Sequence, residues 1–143
     1  MWKVLLSGVC LSLVSTWAVA ADPPPERLAA ECIAEVQQVV ERVGNVSAEE
    51  TAQCVRTINE LQDLGRFDAA EDVANECVRT ATQRARNAAN YITRLCDACI
   101  DDLLGLGEIE LARRVHSACE DGISDLRGIL QREKSAIANA LAD

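Results

Sequence analysis

The sequence predicts an all-α fold, a bundle of three long antiparallel helices stapled by disulfides. Three observations predict it. Beyond residue 25, apolar residues recur at spacings of four and three, the period of a helix that buries one face. No strand-like alternation of apolar and polar residues competes with that pattern. The six cysteines beyond residue 20 fall into pairs equidistant from two Gly-containing turns.

The elements follow in order. Residues 1–20, MWKVLLSGVCLSLVSTWAVA, place Lys3 before a short apolar run that ends in Ala18-Val19-Ala20. That is the layout of a secretory signal peptide with cleavage near Ala20-Ala21. Cys10, preceded by Val9, lacks the small residue of a lipoprotein site and is expected to leave with the signal. Residues 21–25 form a Pro-rich lead, and 26–143 are expected to be one helical domain. The first helix has the seam Cys32, Val36, Val39, Val43, Val46, then Cys54, Ile58, Leu61 after a slip of one. Gly44 lies at the slip, and Ser47 and Glu50 are spaced as a capping box. The helix is therefore expected to be kinked, or split near 44–47 to give four helices. Asn45-Val46-Ser47 is an N-glycosylation sequon in this expected break, meaningful only in a eukaryotic source.

Leu64-Gly65-Arg66-Phe67-Asp68 ends the first helix and opens the second, whose seam is Ala81, Ala85, Ala88, Ile92, Leu95, Cys99. Leu106-Gly107-Glu108-Ile109-Glu110 repeats that turn before Ala112, Val115, Cys119, Ile123, Leu126, Leu130, Ile137. Each turn puts Gly just after one helix and acid at the start of the next. Gly122 and Gly128 lie inside the last helix and weaken it. The two turns belong to a 42-residue internal repeat, 51–77 over 93–119, with nine of 27 positions identical, nearly all core, turn or cysteine. The Leu-Gly-x-aromatic/Ile-x-x-Ala turn resembles the middle of a tetratricopeptide repeat, but that family has a period of about 34 and shorter helices.

In an antiparallel hairpin, residues equidistant from the turn lie side by side. Reflection about the first turn pairs Cys54 with Cys77 and Cys32 with Cys99, and reflection about the second pairs Cys96 with Cys119. The first two clamp one hairpin at heights roughly 33 Å apart. Each crosslink is expected to stabilise by about 2–4 kcal/mol. Six cysteines in an exported chain read first as such a framework. The competing reading is a soft-metal site, Cu(I) or Zn, built from the Cys96-Asp97-Ala98-Cys99 motif with Cys119 and His116. A thioredoxin-type role for the same motif would need a preceding strand and a helix N-terminus, which a mid-helix position lacks.

Composition narrows the function classes. The chain has 143 residues, 49% of them hydrophobic and 26% charged, with one His, one Phe, one Tyr and two Lys. That poverty disfavours acid–base catalysis, base stacking and sugar binding, so neither enzymatic activity nor a cofactor is expected. A net charge of −9 argues against nucleic acid and anionic membrane surfaces as partners. No apolar run beyond the leader is long enough to span a bilayer, so an integral membrane protein is not expected. His116 reads as a partly buried interhelical side chain. The acids Asp97, Asp101, Asp102, Glu108 and Glu110 read as a solvated end near the second turn. Between Cys77 and Cys96 the only charges are Arg79, Arg84, Arg86 and Arg94. They form either a docking stripe for an acidic partner or ion pairs with neighbouring helices, Arg94 lying opposite Asp121 and near Glu120.

The expected function is that of a secreted or periplasmic structural or protein-interaction module, with another protein as partner. Soft-metal binding is the first alternative. Carriage of a small hydrophobic ligand is the second, disfavoured because the seam Ala81, Ala85, Ala88 suggests close helix approach rather than a cavity.

Overall fold

A computed structural model describes residues 22–142. The chain forms three helices, α1 (Pro25–Asp63), α2 (Phe67–Gly105) and α3 (Ile109–Ala142). Each packs against the other two. At 39 residues, α1 and α2 make a rod about 58 Å long at 1.5 Å rise per residue. The leader assigned to 1–20 lies outside the described residues. α1 begins where the prolines allow: Pro24 is its extended N-cap and Pro25 its first residue, a position with no intrahelical use for an N–H.

Both turns close in the same way. The Gly65 N–H donates to the Gln62 carbonyl and the Arg66 N–H to the Leu61 carbonyl. Gly107 and Glu108 repeat these bonds to Leu104 and Leu103. This is the Schellman arrangement, which needs a left-handed residue at its centre. Gly65 (φ 68°) and Gly107 (φ 78°) supply it.

α1 runs unbroken through 44–47, so the split into four helices does not form, and Asn45 is an exposed helical residue rather than a loop residue. The inward seam does not pass through Val46, which is 42% exposed, but through Ser47, which is buried. A seam step of four, from Val43 to Ser47, replaces the expected step of three and absorbs the slip. Ser47 caps nothing, and Glu50 bonds to another helix.

The structure joins Cys32 to Cys99, Cys54 to Cys77 and Cys96 to Cys119, with Cα separations of 6.4–6.5 Å. The two cysteines of the CxxC motif therefore face different helices: Cys96 ties α2 to α3, and Cys99 ties α2 to α1. No disulfide joins α1 to α3.

The core is in two parts. The larger surrounds Cys32–Cys99 and Cys96–Cys119 and includes Val36, Ile92, Leu103, Val115 and Leu126. The smaller, towards the first turn, buries only Ile58, Ala70, Ala74, Ile137 and Ala140. Gly122 belongs to the larger part. A Cβ there would lie 2.5 Å from a Val36 methyl and 3.6 Å from Ile92, so glycine allows α3 its approach to both neighbours. Gly128 meets only the Arg132 side chain, at 3.5 Å. Gly122→Ala is therefore expected to destabilise by about 1–3 kcal/mol through overpacking, whereas Gly128→Ala stabilises by about 0.5–1 kcal/mol. Urea unfolding of the two oxidised variants checks the opposite signs.

Candidate functional site

A polar layer separates the two core parts. Arg84 of α2, with 17% of its side chain exposed, pairs with Glu50 of α1 and, at 2.9 Å, with Glu133 of α3. Glu133 is 5% exposed and also accepts the Thr51 hydroxyl at 3.3 Å. One guanidinium thus joins all three helices, and its planar fork serves two carboxylates in a way a point charge cannot. α3 keeps its register there by a step of four on each side of Glu133, from Ile129 and to Ile137.

Two clefts open on the face between α1 and α2, and Arg84 borders both. The first, about 360 Å³, is lined by the polar layer together with Thr57, Thr80, Ala81 and the Cys54–Cys77 disulfide. The second, about 570 Å³, lies between Val39, Val43 and Val46 on one side and Ala88 and Tyr91 on the other. At its mouth the Tyr91 hydroxyl donates to Glu35 at 3.0 Å, and Arg42 lies 3.6 Å from the same carboxylate. The hydrogen bond to Glu35 holds the Tyr91 phenol above its ordinary pKa. Ala81 and Ala88 of the alanine seam are buried, and the two clefts open beside them.

The third surface feature lies at the ends of the rod. Among the described residues, of eight large apolar ones that are exposed, Leu64 and Phe67 sit at the first turn and Leu104, Leu106 and Ile109 at the second. Leu141 joins the first-turn end, where its carbonyl accepts from Gln62. Phe67 is 65% and Ile109 62% exposed; they occupy matching positions 42 residues apart. Around them stand exposed charges, Asp63, Asp68, Glu71 and Asp72 with Arg66 at one end, and Asp101, Asp102 and the Glu110–Arg113 pair with Arg114 at the other.

The residues singled out in the sequence are distributed differently from expectation. Arg84 is drawn into the bundle and leaves the proposed stripe. Arg79 pairs with Glu76 on its own helix, which holds that carboxyl below its usual range. Arg86 and Arg94 are exposed, and the Arg94–Asp121 pair does not form among the described residues. His116 is not interhelical: its side chain is 61% exposed and faces Glu120 one turn along α3. The metal set Cys96, Cys99, Cys119 and His116 is not assembled, because the three sulfurs are bonded in two different disulfides.

Sequence reasoning missed Glu50, Glu133, Tyr91 and the tip residues. A signal for the polar layer was present: Arg84 falls between Ala81 and Ala88 on one seam, and Glu133 between Ile129 and Ile137 on another. A charge at a buried period on each of two neighbouring helices points to a partner across the bundle.

Comparison with family models, with curated proteins and with solved structures finds no match to this chain.

Arg84→Met strands the Glu133 carboxylate in the core and is expected to cost about 3 kcal/mol, whereas Arg84→Met with Glu133→Leu recovers most of that loss. Urea unfolding of the oxidised single and double variants measures the difference.

Proposed function

We propose that this chain is an exported, disulfide-stapled helical rod that acts as a protein-interaction module and holds two apolar tips apart for binding. The observation that carries the reading is the placement of exposed apolar side chains: among the described residues, six of the eight large ones lie at the two ends. Exposed apolar side chains gathered at an end and bordered by charges favour a protein partner whose contact has an apolar centre and a charged rim. The 42-residue repeat accounts for the likeness of the tips, since Leu64-Gly65 and Leu106-Gly107 are corresponding positions. Export is supported by the layout of residues 1–20 and by the three disulfides, which persist in oxidising compartments. No helix among the described residues is long and apolar enough to cross a membrane.

A second reading, carriage of a small ligand, is favoured by the two clefts beside Arg84, the first with a polar floor and the second with apolar walls. Native mass spectrometry of the protein as purified from its source tests it: a stoichiometric small molecule supports carriage, and the bare mass opposes it.

The tip reading is tested with a photo-crosslinking side chain placed in separate variants at Phe67, at Ile109 and at the mid-rod position Asn87, irradiated in the native source. Adducts to the same protein from both tips and none from Asn87 are expected. Adducts from Asn87 alone, or from no position, contradict it.

A further inference from the structure

The three disulfides are not equally reachable. Cys32, Cys96, Cys99 and Cys119 are 4–6% exposed and sit inside the larger core. Cys54 and Cys77 are only half-buried, and both line the cleft of about 360 Å³ beside Arg84. Thiol–disulfide exchange requires an incoming thiolate to reach a sulfur along the S–S axis, so access decides which bond reacts. A second asymmetry acts in the same direction. The core around Cys54–Cys77 buries two large side chains, Ile58 and Ile137, and three alanines, while Val55, Leu61, Val73 and Val78 pack against it only partly buried. Elements that bury so little open locally at low cost. α3 adds no covalent support there, because its one crosslink is at Cys119 and 23 residues of the helix follow it.

We infer that Cys54–Cys77 is a thiol–disulfide exchange site for a dithiol entering through the α1–α2 cleft, and that its reduction releases the first-turn end of the rod while the other end stays folded. The inference is independent of the tip reading. One thiolate of the dithiol attacks a sulfur of the pair, the Cys54–Cys77 bond breaks, and the other sulfur departs as a thiolate. The second thiol of the reagent then displaces the first sulfur from the mixed disulfide. Two electrons pass to the protein, the two thiol protons end on Cys54 and Cys77, and the dithiol leaves as a disulfide. The polar layer is the boundary of the released unit: apolar contacts beyond it are separate from those around the two buried crosslinks.

The test uses the folded, oxidised protein with dithiothreitol in one arm and a reduced thioredoxin in the other, quenched with iodoacetamide and mapped by mass spectrometry. The expected result in at least one arm is an intermediate alkylated at Cys54 and Cys77 alone. Hydrogen exchange of that intermediate should rise over 50–80 and 133–142 and stay slow over 29–40 and 92–126. Thr80→Trp, an exposed position at the cleft, should slow the first reduction about tenfold by blocking access. The arm that reacts identifies whether a small or a protein dithiol is the reagent. Reduction of another pair first, loss of all three together, no reaction in either arm, or an unslowed Thr80→Trp variant overturns the exchange site. Unchanged exchange over 50–80 in the intermediate overturns the release.

Discussion

The rest of the structure depends on α2 being covalently tied to both neighbours. A bundle of helices this long, with one Phe and one Tyr in the whole chain, has little large apolar surface with which to fix register. Cys32–Cys99 and Cys54–Cys77 fix α1 against α2 on either side of the middle, and Cys96–Cys119 fixes α3 against α2. Once those distances are set, alanine suffices as a contact over the first half of α2, where Ala70, Ala74, Ala81 and Ala88 are its buried residues.

Noncovalent contacts then distribute unevenly along the rod. Branched side chains and four of the six crosslinked cysteines concentrate towards the second turn, where Ile92, Leu103 and Val115 are fully enclosed. Towards the first turn, the Arg84–Glu50–Glu133 cluster takes the place of a packed layer. A buried ion cluster adds little net stability over an apolar layer of the same volume, but it tolerates few alternative registers. Its value here is positional, because one guanidinium must meet α1 and α3 together. α3, which has no crosslink to α1, gains from this a buried polar tie to that helix through Glu133 and Thr51, besides the exposed bond from Gln62 to the Leu141 carbonyl.

Much of this architecture is legible in the residue pattern. Helical periodicity predicts the fold class, Gly65 and Gly107 mark the turns, and reflection about those turns pairs the cysteines because antiparallel helices have equal rise. The reading falters where a residue's type conceals its place. Ser47 and Glu50 have the spacing of a cap, and only the position of α2 and α3 reveals that one fills the seam and the other meets Arg84. The exposed tips illustrate a different limit. Leu64, Phe67, Leu106 and Ile109 continue the apolar rhythm of their helices, and nothing local distinguishes an apolar residue facing a neighbour from one at the end of the rod. His116 likewise mirrors Cys99 in sequence position, yet its direction from α3 carries it to solvent.

The account rests on which sulfur meets which. Peptide mapping of the oxidised protein, digested without reductant after alkylation and accompanied by metal analysis of the same sample, measures this directly. Crosslinked peptides joining Cys32 to Cys99, Cys54 to Cys77 and Cys96 to Cys119, with no alkylated cysteine beyond residue 20, are the predicted result. Any other pairing, or free Cys96, Cys99 and Cys119 with stoichiometric copper or zinc, contradicts it.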